Sequence, residues 1–226
     1  MDKQALRKTM KDRRQALPQE TAAGLSQMIC DRLLSWPVYK KADVILAYFP
    51  CNREADIRPF LETALASGKQ VALPRVLGKR HMDFLLIQDF NDLEKGAMGL
   101  MEPKKSLPVL NPCYFSKTDR SKNNKIGEIH GKEHLILMLI PGLAFCRTAL
   151  MAKEVIGRLG YGGGFYDTYL ARLGQKRESL HLSASLAACG VAYDFQIIAE
   201  DGFPLENHDL FLRYLVTEKS IYGQEE

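Results

Sequence analysis

The chain has 226 residues, 46% of them hydrophobic and 26% charged, with a formal net charge of +4. Those proportions exclude a disordered or fibrous chain and leave room for one sizeable core. The positive excess is mild and spread along the sequence, so it does not by itself indicate a nucleic-acid surface.

Residues 2–34 read as two helices. In the first, Leu6, Met10, Arg13 and Leu17 recur at helical spacing beside a basic stripe of Lys3, Arg7, Lys11 and Arg14, and Pro18 closes it. The second, over 19–34, puts Leu25, Met28, Ile29 and Leu33 on one face and ends at Trp36 and Pro37. The β-rich run "DVILAYF" (43–49) precedes a helix over 56–68, with Asp56 as N-cap and Gly68 as its stop, and "KQVALP" follows as a strand. Strand, helix, strand is the βαβ unit of a parallel sheet. Further strands are expected at 82–87, 135–140, 180–186 and 210–217, with a helix over 165–173. Residues 111–134 are polar and aperiodic and read as a long exposed loop inside the domain. The expected fold class is α/β: a single three-layer, Rossmann-like domain over 1–226, with a mostly parallel open sheet flanked by helices and the N-terminal helices packed on it.

The longest apolar run, "LILMLIPGLAF" (135–145), is broken by Pro141 and Gly142 and is too short to span a bilayer. The N-terminal residues are charged throughout and lack the apolar segment of a secretory signal. Five widely separated cysteines without a C-x-x-C pair suggest neither a disulfide framework nor a zinc site, which fits a cytoplasmic protein.

The stretch with most chemical content is "GRLGYGGGFYDTYL" (157–170). It is read as following the buried strand at 135–140 and a Pro-Gly turn, and it leads into an amphipathic segment in which Phe165, Tyr169 and Leu173 share a face, so the glycines lie at a helix N-terminus. Unpaired N–H groups and the helix dipole favour an anion there, and residues without a Cβ let backbone approach its oxygens. Arg158 adds a cation suited to phosphate. No Lys-Ser or Lys-Thr follows the last glycine, and the G-x-G-x-x-G spacing is absent, so neither a P-loop nor a dinucleotide fingerprint is present. On composition alone a phosphate cradle and a flexible turn are equally open.

The whole phrase "LIPGLAF…RLGYGGGFYDTYL" resembles the signature of the 5-formyltetrahydrofolate cyclo-ligase family. The likeness extends to "KQALRK", "READIRPFLETALASGKQVALPRV", "KGAMGLMEP" and "ENHDLFLRYLVTE", and so to most of the chain. It implies an enzyme that uses ATP and Mg²⁺ to convert 5-formyltetrahydrofolate to 5,10-methenyltetrahydrofolate, with ADP and phosphate released through an iminium phosphate. On that resemblance ATP is held by Lys3, Arg7, Arg158, Leu159, Gly160, Tyr161, Gly162, Gly163, Gly164, Phe165 and Tyr166, with Arg158 also acting on the transferring phosphoryl group. Phe49, Glu54 and Glu102, with the turn residues Tyr161, Gly162, Gly163, Gly164 and Phe165, are implied to touch the folate, and Asp167 and Asp209 to hold Mg²⁺. Lys3 and Arg7, four apart, lie on one helical face, which agrees with that placement. The implied partners are the two small-molecule substrates, with no nucleic acid or membrane; a monomer is expected, with a dimer as the alternative.

Three positions and one link depart from the family pattern. Cys146 stands where an aspartate is usual, "CRTALMAKEVIG" lengthens the link to Arg158, and Gly163 and Arg213 replace a common lysine and aspartate. Two other readings therefore stay open: a nucleotide-binding relative without cyclo-ligase activity, and a nucleic-acid binder using the basic first helix and the 117–125 loop.

Overall fold

In the first helix, α1 (Lys3–Ala16), Asp2 caps the N-terminus by accepting from the amides of Gln4 and Ala5, each at 3.0 Å. Its inward side is Leu6, Met10 and Arg14 rather than Leu6, Met10 and Arg13, so Arg14 of the expected basic stripe is buried and Arg13 is exposed. Helix α2 (Gln19–Ser35) buries Ser26, Ile29, Cys30 and Leu33, while Met28 faces solvent. Pro37, which ends α2, starts the one-turn helix α3 (Pro37–Lys41), because a proline suits a first helical turn, where its missing N–H has no partner to lose. The computed structural model describes residues 2–96, 99–110, 135–150, 153–180, 185–199, 202–205, 209 and 211–223. The 111–134 stretch, expected to be a loop, lies outside them.

A seven-stranded sheet forms the centre. Its strands are β1 (Val44–Leu46), β2 (Gln70–Gly78), β3 (His81–Ile87), β6 (Leu135–Pro141), β9 (Ser185–Val191), β12 (Tyr214–Val216) and β13 (Ile221–Tyr222), in the order β13-β12-β9-β6-β1-β2-β3. The five inner strands run parallel, and β3 and β13 close the two edges antiparallel. Alternation along the strands divides the core in two. Ile45, Val71, Leu73, Leu137 and Leu139 face α2, α3 and α4 (Arg58–Ala66), through Ile29, Leu33, Tyr39, Phe60 and Leu61. Val44, Leu46, Ala72, Ile136, Met138 and Ile140 face the opposite way, toward Tyr169 and Leu173 of α5 (Phe165–Leu180). Helices thus cover both faces, as a mostly parallel sheet requires.

Several local expectations are corrected. The 56–68 helix begins at Arg58, with Ile57 at the N-cap and no side-chain cap bond; Asp56 instead accepts from the Arg58 amide at 3.1 Å and pairs with its guanidinium. The helix expected over 165–173 continues to Leu180, so the strand expected at 180–186 starts at Ser185 and runs to Val191, with 181–184 outside the described residues. The 210–217 strand is two: β11 (Phe211–Leu212) joins another sheet, while β12 stays in the central one.

The largest correction concerns the segment before the glycine turn. It is a β-hairpin of β7 (Ala144–Leu150) and β8 (Lys153–Leu159), paired from Ala144 opposite Leu159 to Leu150 opposite Lys153. With β10 (Ile197–Ile198) and β11 it makes a four-stranded sheet in the order β10-β7-β8-β11. The glycine turn therefore leaves β8, not the buried strand at 135–141. Cys146 is buried in this hairpin with Leu6, Met10, Leu143 and Leu159. A third, two-stranded ribbon pairs β4 (Leu93–Lys95) with β5 (Met101–Pro103), Glu94 opposite Glu102.

Candidate active site

Where β8 ends and α5 begins, the chain turns through 160–164. Gly162 has φ +100° and Gly164 has φ +65°, backbone that residues with a Cβ rarely adopt. A Cβ on Gly160 would lie 2.8 Å from Arg158 Nη1, so a larger residue there would displace the guanidinium. The Thr168 amide donates to Gly164 O at 2.9 Å, so α5 leaves the amides of 165–167 without an intrahelical acceptor beside the turn. Asp167 occupies this first turn.

The turn forms one wall of a cleft of about 880 Å³. Lys3, Arg7, Phe49, Glu54, Glu102, Arg158, Leu159, Gly160, Tyr161, Gly162, Gly163, Gly164, Phe165, Tyr166, Asp167 and Asp209 all line it, so every residue singled out from the sequence is brought to one place. Arg7 donates from Nε to Gly160 O at 3.0 Å, which docks α1 on the turn. Lys3 Nζ lies 2.9 Å from Asp209 Oδ2. Arg158, largely buried, bridges the end of β6 and the start of α5: Nη1 donates to Pro141 O, and Nη2 reaches both oxygens of Asp167, each at 3.2 Å. Its guanidinium also lies over the Tyr166 ring, 5.5 Å from the centroid.

The other wall comes from the segment after β1. Asn52 and Arg53 both take positive φ, at 45° and 57°, and the Glu54 amide closes this turn on Cys51 O at 2.8 Å. An Arg53 to Leu17 carbonyl bond of 3.0 Å fastens it to the end of α1. The bend turns Glu54 inward, where it is only 8% exposed. Its Oε2 accepts from the Cys51 amide at 3.1 Å and from the Cys51 thiol at 3.4 Å. Its Oε1 accepts from the Tyr161 hydroxyl at 2.5 Å and lies 4.0 Å from Arg14 Nη1. Arg14 in turn sits over the Tyr161 ring, 5.4 Å from its centroid. Burial, reinforced by the Glu54 charge, pushes the Tyr161 and Tyr166 hydroxyls well above the usual phenol range and the Cys51 thiol up to about 12. All three are protonated donors at neutral pH.

Phe49 supplies a flat apolar surface, braced edge-on by Phe90 at 5.4 Å. Glu102 is 3% exposed, with Oε1 only 3.5 Å from the Val76 amide and Oε2 without a hydrogen-bond partner among the described residues. The sequence reading missed Tyr48, Cys51, Arg80 and Met82, which also line the cleft, and Arg14, which supports Glu54. Arg14 carried a signal only as a member of the basic stripe; the others carried none, since they meet through sheet topology. Lys3 and Arg7 of that stripe line the cleft, and Arg14 lies beneath it against Glu54. No cluster of three or more His, Cys, Asp or Glu side chains is assembled among the described residues.

The sequence profile of the 5-formyltetrahydrofolate cyclo-ligase family matches residues 1–218. The chain belongs to that family. A relative within it, the mitochondrial 5-formyltetrahydrofolate cyclo-ligase of Arabidopsis thaliana, is 26% identical over 97% of this chain and 75% of its own length. The 5-formyltetrahydrofolate cyclo-ligase of Escherichia coli is 24% identical over 94% of this chain and 98% of its own. The NMR structure of Aquifex aeolicus 5,10-methenyltetrahydrofolate synthetase superposes with a TM-score of 0.69 at 26% identity, covering 99% of this chain and 95% of that one. In this member of the cyclo-ligase family, the α/β fold with its large, mostly parallel sheet is thus shared with a solved structure.

Proposed function

We propose that the protein cyclises 5-formyltetrahydrofolate to 5,10-methenyltetrahydrofolate at the expense of ATP, releasing ADP and phosphate. One observation carries the reading beyond family membership: the glycine turn, rimmed by Lys3, Arg7 and Arg158, shares a single cleft with Phe49 and Glu54. The turn and the first amides of α5 suit phosphate oxygens. Phe49 suits a flat ring, and Glu54 suits its N–H donors.

In the proposed chemistry the formyl oxygen attacks the γ-phosphorus and ADP departs, giving an iminium phosphate. N10 then adds to the activated carbon and loses its proton; the C–O bond breaks, and phosphate leaves carrying the former formyl oxygen. Both nucleophiles belong to the substrate, so the chain's task is positioning and charge stabilisation. Arg158, fixed by Pro141 O, presents a guanidinium where negative charge grows. Tyr161 and Tyr166 stay neutral, walling the site without adding charge. Burial of Glu54 strengthens its bonds to a bound ring.

Asp167 and Asp209 would hold Mg²⁺. They are hard oxygen donors lining the phosphate side of the cleft, in the number this ion commonly takes from protein, and each now lies against a cation, Arg158 or Lys3, so the residues fit it. When bound, the ion supplies positive charge to the phosphate oxygens. A single domain acting as a monomer in the cytoplasm completes the proposal.

The test mixes the protein with Mg-ATP and 5-formyltetrahydrofolate and follows the near-ultraviolet absorbance of the methenyl product. Product that depends on both substrates is expected. Calorimetric binding of ATP without any product would assign the chain to an inactive branch of the family and overturn the proposal.

A further inference from the structure

Lys3, Arg7, Arg80 and Arg158 are the cations that line the cleft among the described residues. Three have partners in the protein: Lys3 has Asp209, Arg7 has Gly160 O, and Arg158 has Asp167 and Pro141 O. Arg80 has no hydrogen bond or ion pair among the described residues. It sits with Lys79 in the two-residue turn between Gly78 and His81, which pair across β2 and β3. Its φ is +55°, an unusual conformation for a side chain of this size. Its Nε lies 3.9 Å from where a Cβ on Gly164 would stand, while Arg7 lies 3.9 Å from the same point on Gly162. The two guanidiniums therefore flank the glycine turn.

The hairpin that carries Arg80 is fastened to the helix that the turn begins. Arg172 of α5 bonds to Met82 O and to His81 Nε2, each at 2.8 Å, and to the Asp83 carboxylate. The position of Arg80 relative to α5 is thus held by three contacts, all to the start of β3 directly after the hairpin tip.

We propose that Arg80 is a ligand of the nucleotide phosphates, closing over the outer phosphates of the triphosphate cradled by 160–164. The inference rests on reading the cleft as the ATP site. An anion that meets Arg158 must share it with Asp167, whereas one that meets Arg80 displaces no internal partner. A phosphate is the anion that fits, because Arg80 stands by the last glycine, beside the free amides and positive end of α5.

The test is calorimetric titration of the full chain with Mg-ATP, with Mg-AMP and, separately, with 5-formyltetrahydrofolate. Arg80→Ala and Arg80→Gln should each weaken Mg-ATP roughly tenfold, with little change for Mg-AMP or for the folate. Arg80→Lys should keep part of the affinity, and Lys79→Ala, which removes a neighbouring charge outside the cleft, should keep all of it. Arg80→Ala with wild-type ATP affinity overturns the inference, as does a loss confined to the folate. If the wild-type chain itself does not bind Mg-ATP, the ATP reading of the cleft fails first and takes the inference with it.

Discussion

Replacing Arg14 by methionine tests whether the carboxylate at the heart of the cleft depends on a buried cation behind it. The two side chains are 2% and 5% exposed, with Nη1 and Oε1 4.0 Å apart. At an effective dielectric near 20 that separation corresponds to an attraction of roughly 4 kcal/mol, most of it offset by the desolvation of both groups. Methionine fills much of the same volume but strands Glu54 among phenolic oxygens and removes the cation from the Tyr161 ring. Removing one partner of a buried pair costs about 3–5 kcal/mol, and the 4.0 Å separation places Arg14→Met near the lower end, about 3 kcal/mol. For a chain of this size that is a fall in Tm of roughly 6–12 °C. Glu54→Gln keeps an acceptor for Tyr161 and should cost less, about 1.5–2 kcal/mol. Urea unfolding of both single variants and the double variant closes the cycle, with an expected coupling of about 1–2 kcal/mol. A coupling below about 0.5 kcal/mol, with strictly additive losses, would show that Arg14 stabilises the fold without reaching Glu54 and refute the reasoning.

Arg158→Ala should lower kcat/KM for ATP roughly 10- to 100-fold by removing a charge-assisted contact, with Arg158→Lys intermediate, because lysine keeps the charge but not the fork that meets both Asp167 and Pro141 O; steady-state kinetics at saturating folate decide it, and an unchanged ratio rejects the role. Gly162→Ala forces an alanine to φ +100° and should cost about 1–2 kcal/mol in urea unfolding while weakening ATP, since nothing but Arg7 approaches the new Cβ and strain is the whole effect; wild-type stability would place no strain at the turn. Burial pushes the Cys30 thiol from 9.0 up to about 11 and the Cys51 thiol from 9.0 up to about 12, so between those values the folded chain keeps protons that the unfolded chain has lost. Their stabilisation is full below about pH 9 and is lost as the pH rises toward 12; unfolding free energy that climbs over that interval would contradict the burial of these thiols.

How much of this was legible in the sequence depends on the range over which each feature is determined. The helices α1 and α2 and the first βαβ unit were readable because caps, prolines and apolar periods act over a few residues. The β7–β8 hairpin was not. Residues 148–150 and 153–155, which pair with each other, alternate poorly, and the hairpin's outer edges are set by β10, paired at Phe145 and Cys146, and by β11, paired at Ile156 and Gly157, both much later in the chain. The swap of Arg13 for Arg14 on the buried side of α1 has a similar cause. Both positions fall within the tolerance of a helical stripe, and the choice is made by Glu54 and Tyr161, which no local pattern can foresee. The glycine turn was legible as a motif, but its setting was not, since the strand feeding it belongs to the smaller sheet.

That setting explains why the cleft behaves as one unit. The glycine turn leaves the four-stranded sheet at β8 and enters α5, which packs on the seven-stranded sheet, so the backbone of the turn spans both layers. Glu54 belongs to the segment after β1 of the central sheet. The Tyr161 hydroxyl bonds to Glu54 at 2.5 Å, 107 residues away in the chain, and so ties the turn to the opposite wall. Arg7, docked on Gly160 O, and Arg14, facing Glu54, are on the same helix two turns apart. A shift of α1 would therefore move the cation docked on the glycine turn and the support of the carboxylate wall together. The basic face of the first helix, ambiguous as a sequence pattern, is in the fold the strut between the two halves of the site.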